Sequence, residues 1–140
     1  MDRKTIQNYL PHRGRMLLLD DSVIIDEKTC IGHYTVKGDE YFLDGHFPDN
    51  PIVPGVILCE MMAQNSCLLL SAGQENNIIK KAFLVKMEKV KFSKPAVPND
   101  TLTLKTTLVN KIGAFYYVVD GQVLVEDKII ASGQFTLFKE

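Results

Sequence analysis

His46 is the side chain in this sequence best placed to move a proton near neutral pH. It lies in the segment Gly45-His46-Phe47-Pro48-Asp49-Asn50-Pro51-Ile52-Val53-Pro54-Gly55, where three prolines in seven residues each lock their own φ and stiffen the backbone. A histidine in a loop is more often structural than catalytic, so its weight depends on what surrounds it. Glu60 follows inside a strongly apolar stretch, among Leu58, Met61 and Met62, with Gln64 one helical turn further on. A carboxylate in such company is costly unless it is partnered or protonated. The plainer account is a solvent-facing stripe of Glu60, Gln64 and Asn65, but the near-continuous hydrophobicity elsewhere argues that the stripe faces something specific. Gly55 and Val56 open the same stretch. The first amides of a helix lack internal acceptors and carry the positive end of its dipole. Together these residues offer a base, an acid and an oxyanion hole.

The elements that must position them follow from pattern. Pro54-Gly55 precedes an apolar run that predicts a helix from Val56 to Ala72, stopped by Gly73 and apolar nearly all round, hence buried inside the fold. Residues Thr5 to Leu10 read as a short helical turn ended by Pro11. Strands are expected over Met16–Ile25 and Thr29–Val36, and after the helix over Ala82–Phe92, Thr101–Val109, Phe115–Val125 and Lys128–Phe138. Glu126-Asp127 reads as the last hairpin turn, with Gly121 a bulge or bend in a continuing strand. One α+β domain results, its mostly antiparallel sheet taking a single long helix on the concave face.

With 140 residues the chain is of single-domain size, long enough for an ordinary core but too short for a (β/α)₈ barrel. A lipid-sized site would have to take room from that core or from a subunit interface. The 16 Lys and Arg against 17 Asp and Glu leave no basic excess for nucleic acid. Three cysteines, Cys30, Cys59 and Cys67, without CxxC spacing suggest neither a disulfide framework nor a zinc site. No N-terminal apolar region reads as a signal peptide and no run is long enough for a membrane span, so the cytoplasm is expected. Lys86, Lys89, Lys91 and Lys94, preceded by Lys80 and Lys81, crowd one stretch whose plain reading is a solvated strand edge.

Leu10-Pro11-His12-Arg13, the Gly45-His46-Phe47-Pro48 to Pro51-Ile52-Val53-Pro54-Gly55-Val56 loop, Glu60, Ala63-Gln64 and Phe92-Ser93-Lys94-Pro95-Ala96-Val97-Pro98-Asn99-Asp100 together resemble the (3R)-3-hydroxyacyl-acyl-carrier-protein dehydratases. The resemblance implies a hot-dog fold, a curled antiparallel sheet wrapped around one long helix. It implies a homodimer, assembled further into a trimer of dimers, in which each site takes its histidine and its carboxylate from different chains. Glu60 in place of aspartate fits the general dehydratase branch. Gly14, Arg15, Met16, Asp21, Ser22 and Asn99 depart from the family pattern without touching the pair His46 and Glu60.

What the resemblance implies chemically is dehydration of a 3-hydroxyacyl thioester carried on acyl carrier protein. His46 would remove the C2 proton, the Gly55 amide would bind the thioester oxygen and Glu60 would protonate the leaving hydroxyl, with no metal or cofactor. Gln64 would orient Glu60 or a water, and a carbonyl within residues 50–53 would fix the His46 tautomer. Met61, Phe83, Leu84 and Val85 are candidates for an acyl tunnel. Arg13 with Lys86, Lys89, Lys91 and Lys94 would steer the acidic carrier. His12 and His33 read as structural or surface residues. A hot-dog thioesterase, an enoyl isomerase and a non-catalytic acyl-binding subunit are the alternatives.

Overall fold

A helix that is apolar on every side has to be wrapped, and the rest of the chain does the wrapping. The computed structural model describes residues 1–71 and 82–140; the helix stop expected at Gly73, and Lys80 and Lys81, lie outside the described residues. The long helix, α2, runs Gly55–Leu70 after the short α1 (Arg3–Ile6) and the strands β1 (Asp21–Ile24) and β2 (Thr29–Thr35). Four longer strands follow: β3 (Ala82–Phe92), β4 (Thr101–Ile112), β5 (Tyr116–Val125) and β6 (Lys128–Lys139). They form one antiparallel sheet in the order β1-β2-β4-β5-β6-β3, and its curl packs α2 mainly against β4, β2 and β5. From Leu58 to Leu69 every residue of α2 is buried except the half-buried Glu60.

Polar groups fix how α2 sits in the sheet. Asn65, fully buried, donates from Nδ2 to the Cys30 and Leu104 carbonyls and to Thr106 Oγ1, and its Oδ1 accepts from Ser22 Oγ at 3.1 Å. Asn65 is therefore an anchor to the sheet rather than part of a solvent-facing stripe. A Cβ on Gly32 would stand 2.5 Å from its Oδ1, so β2 needs glycine there. At the far end the Ser71 amide and hydroxyl bond the Cys67 and Leu68 carbonyls, and the buried Lys139 ammonium reaches the Leu70 carbonyl at 2.9 Å. These groups satisfy carbonyls that a helix leaves open at its C-terminus.

Three local expectations are corrected. Residues 16–19 are not strand. Leu17, Leu18 and Leu19 are all buried, and their backbone is held by side chains instead of a ladder: Arg3 donates to the Leu17 and Leu19 carbonyls, and Gln64 accepts from the Leu18 amide. The first helix begins at Arg3, capped by Asp2, whose carboxylate accepts from the Thr5 amide at 2.8 Å. Gly121 pairs in register with Thr106 and Gly133, so it is no bulge. A side chain there would strike Met62 Sδ and the Phe135 ring at 3.0 Å, and glycine instead lets α2 lie close on β5. The turn at Glu126-Asp127 is present, with φ of 50° and 66°.

Candidate active site

His46 reaches its place through a 3-10 turn, Tyr41–Leu43, and a loop whose Gly45 and Phe47 both take positive φ (77° and 61°). A non-glycine residue in that conformation carries strain that its surroundings must sustain. Here the His46 amide bonds the Leu43 carbonyl, the Asn50 amide bonds the Phe47 carbonyl, and the Val53 amide bonds the Ala96 carbonyl, tying both ends of the loop to the body. The imidazole Nδ1 lies 2.8 Å from the Ile52 carbonyl oxygen. A carbonyl only accepts, so Nδ1 carries the hydrogen and Nε2 of the neutral ring presents a lone pair.

Beside it α2 begins without a side-chain cap: the Ile57 and Leu58 amides turn back to the Pro54 carbonyl, so the amides of Gly55 and Val56 precede the first helical hydrogen bond. His46, Gly55, Val56, Phe92 and Lys94 line one cleft of about 480 Å³. The Phe92 ring lies so close over Gly55 that a Cβ there would meet it at 2.9 Å. A base with a free ring nitrogen and a pair of outward amides can take a proton next to a carbonyl while stabilising the negative charge that forms on its oxygen.

Glu60 belongs to a second cluster. Its Oε1 accepts from Gln64 Nε2 at 3.0 Å and stands 3.6 Å from His12 Nε2. Gln64 has no freedom to turn: its Oε1 accepts from the Leu18 amide at 2.9 Å and its Nε2 also donates to the Met16 carbonyl at 2.7 Å. Burial pushes the Glu60 carboxyl up, but the His12 contact and the Gln64 hydrogen bond outweigh it and hold the group below its usual value. His12, expected as a structural or surface residue, thus belongs to this cluster. The signal that could have found it is its place in the Pro11-His12-Arg13 motif. His33, by contrast, pairs with Asp21 at 2.6 Å on the surface. Glu60 does not line the His46 cleft, so one chain holds base and amides in one place and the carboxylate in another.

The residues proposed from sequence to attract a carrier are dispersed. Lys94 stands on the His46 cleft, whereas Lys89 and Lys91 line a separate groove over Gly121 and Gly133. Lys86 pairs with Glu88 at 2.9 Å. The Arg13 guanidinium donates to the Gln7, Leu10 and His12 carbonyls and closes the end of α1. Of the tunnel candidates, Met61 is core, while Phe83, Leu84 and Val85 are exposed on β3 at the sheet edge. Among the described residues no three His, Cys, Asp or Glu side chains gather to hold a metal ion, and no helix is long and apolar enough to cross a membrane.

Residues 10–134 match the FabA-like domain. The chain belongs to the FabA-like family. Its relatives include the 3-hydroxyacyl-[acyl-carrier-protein] dehydratase FabZ of Streptococcus pyogenes serotype M3 and that of Streptococcus pneumoniae serotype 4. Each is 38% identical over 136 residues, covering 97% of this chain and 96% of the relative. Among solved structures, the dehydratase heterocomplex ApeI:P from Xenorhabdus doucetiae superposes with a TM-score of 0.83 at 17% identity, covering 97% of this chain and 91% of that one. The PaaI protein of E. coli gives 0.66 at 18%, covering 84% and 81%. At such identities the superpositions speak to the fold, and the fold is the hot-dog arrangement of one curled sheet around one helix. FabA-like membership and that fold agree with the reading of the sequence.

Proposed function

We propose that this FabA-like protein is a hydro-lyase that dehydrates (3R)-3-hydroxyacyl thioesters on acyl carrier protein to trans-2-enoyl thioesters in fatty acid biosynthesis. The observation that carries the reading is the His46 cleft, where Nδ1 is tied to the Ile52 carbonyl, leaving Nε2 free, and where the uncapped start of α2 at Gly55 and Val56 lines the same cleft. The thioester oxygen accepts from the Gly55 amide, with Val56 beside it. Nε2 of His46 takes the C2 proton, the C2–C3 double bond forms as the C3–O bond breaks, and the hydroxyl leaves as water with a proton from a carboxylic acid. His46 then holds one proton and the carboxylate has lost one, and transfer between them through solvent restores the site.

The acid is Glu60 of the partner subunit, held by Gln64; only its protonated form donates, so enclosure of Glu60 by the second copy and the substrate has to raise it from the lowered value of the open subunit. Two features support a second copy: among the described residues no carboxylate lines the His46 cleft, and β3 is an eleven-residue edge strand with Phe83, Val85, Met87 and Phe92 about half exposed. A long edge strand leaves a row of backbone groups open for strand pairing, and the exposed apolar side chains between Lys86, Glu88, Lys89 and Lys91 would be covered by it. Pairing two such edges gives a homodimer, and three dimers a hexamer. Lys94, at the cleft, is the cation placed to meet the acidic carrier, with Lys86, Lys89, Lys91 and Arg13 contributing only to the wider field. Three unpaired buried cysteines fit work in a reducing cytoplasm.

The test is dehydration of a 3-hydroxyacyl-carrier substrate by wild type, His46→Ala and Glu60→Gln, followed by enoyl absorbance and free thiol. Each substitution is expected to cost about 10²–10⁴-fold, and enoyl is expected to form without thiol release. Thiol release without enoyl would make the protein a thioesterase. Mixing the two inactive variants is expected to restore part of the activity, and no recovery despite demonstrated subunit exchange would refute the shared site.

A further inference from the structure

We propose that His12 is a positioning residue for the reaction, acting with Gln64 on one oxygen of Glu60 so that the transferable proton is carried on the other. This inference rests on the dehydratase reading given above. Both neighbours address the same atom: Gln64 Nε2 donates to Oε1 at 3.0 Å, and His12 Nε2 stands 3.6 Å from it, an electrostatic contact just beyond hydrogen-bond distance. The Gln64 amide is fixed in sense, because turning it over would set donor against donor at the Leu18 amide and acceptor against acceptor at the Met16 carbonyl. An oxygen already facing an amide N–H and an imidazole N–H is the worse place for a proton, so Oε2 carries it.

The His12 ring is held there at a cost. Its Nδ1 is buried with no hydrogen-bond partner, an arrangement folded proteins seldom tolerate. With Nε2–H aimed at Glu60, the neutral ring leaves only an acceptor unmet at Nδ1, whereas the other tautomer would bury an N–H without an acceptor and turn a lone pair toward the carboxylate. The side chain is about one-quarter exposed, which still leaves the pair a route to solvent for the proton that Glu60 gives up and regains in each turnover. Rules of local satisfaction broken in this way recur at functional sites.

The experiment compares His12→Leu and His12→Gln in the full-length protein. The Glu60 carboxyl is followed by ¹³C NMR titration, its signal assigned by its loss in Glu60→Gln. His12→Leu is expected to raise the Glu60 titration midpoint and, once the larger protonated fraction of Glu60 is divided out, to lower kcat at least about two-fold with KM unchanged, because the proton is then shared between the two oxygens. His12→Gln, which can still present a donor, is expected to recover most of both. An unmoved midpoint in His12→Leu overturns the proposal, as does equal damage by both substitutions together with a lowered Tm, which would make His12 a packing residue. The NMR result stands apart from turnover: wild-type protein that fails to dehydrate the substrate would sink the dehydratase reading, and an unmoved midpoint would sink this one.

Discussion

Replacing Gln64 with methionine isolates what its amide does, because the two side chains are close in volume and the 1% exposed site leaves no cavity term to add. Three hydrogen bonds disappear: from the Leu18 amide at 2.9 Å, to the Met16 carbonyl at 2.7 Å and to Glu60 Oε1 at 3.0 Å. The Leu18 amide is lost inside the core, and an orphaned buried donor costs about 1–3 kcal/mol. Met16 is 44% exposed, so its carbonyl can turn to water and adds about 0.5–1 kcal/mol. Glu60 is half-buried and loses its shortest donor, which raises its carboxyl and adds little to stability near neutral pH. The total is about 1.5–4 kcal/mol. For a chain of 140 residues unfolding with roughly 2 cal/mol/K of entropy per residue, 1 kcal/mol corresponds to about 3–4 °C. Gln64→Met is therefore expected to lower Tm by about 5–14 °C, read by circular dichroism at matched protein concentration so that any subunit association is held constant. Gln64→Glu separates the two jobs of the amide: it keeps an acceptor for Leu18 but sets a second carboxylate against Glu60, so its deficit should shrink as pH falls and one of the two takes up a proton. A Tm within about 2 °C of wild type for Gln64→Met would refute the clamp, and a pH-independent deficit for Gln64→Glu would refute the assignment of which oxygen faces which group.

Gly32→Ala is expected to destabilise by about 3 kcal/mol or more in denaturant unfolding, because its Cβ would stand 2.5 Å from Asn65 Oδ1 and displace an anchor bound to three groups through Nδ2; the same change at Gly113, where nothing lies within 4 Å, gives the contrasting measure of φ strain alone at +65°. The native protein should show no fast-reacting thiol toward a disulfide reagent: all three cysteines are buried, with burial pushing Cys30 up to about 11 and Cys67 up to about 12, and three equivalents should appear on unfolding. Burial raises the Glu40 carboxyl, but the Lys37 and Gly38 amides and the Tyr34 hydroxyl donate to it and hold it below its usual 4.5. A carboxyl lowered by folding stabilises above its unfolded value and loses that contribution as pH falls through the folded one. Wild type is thus expected to lead Glu40→Gln at pH 7 and to converge with it in acid, and a constant gap across the range would contradict the cause given.

The pattern of apolar residues was enough for the central helix and the four long strands, whose limits fall within three residues of those expected, because each is a long run rich in apolar residues and bounded in sequence by glycine, proline or turn residues. It failed at residues 16–19 for a definable reason. A run of buried leucines looks the same whether its backbone is satisfied by a neighbouring strand or by an arginine and a glutamine from elsewhere in the chain, and only tertiary structure distinguishes the two. Gly121 failed likewise: glycine in a strand reads as a bulge, and that it makes room for Met62 is a fact of packing.

The site was legible where residue type carries the chemistry and illegible where contact does. A histidine among prolines and a glutamate among methionines stand out by themselves, but His12 lies 48 residues from the carboxylate it meets, and no spacing rule connects them. What connects them is Gln64. By binding Met16 and Leu18 it draws the segment after His12 against α2, so the clamp that orients Glu60 also delivers its second neighbour. The two should therefore fail together in one direction only: Gln64→Met should weaken the influence of His12 on Glu60, whereas His12→Leu should leave the Gln64 clamp and its contribution to Tm in place. A double-mutant cycle on the Glu60 titration midpoint measures this coupling, and additive shifts would show that His12 reaches Glu60 without help from the clamp.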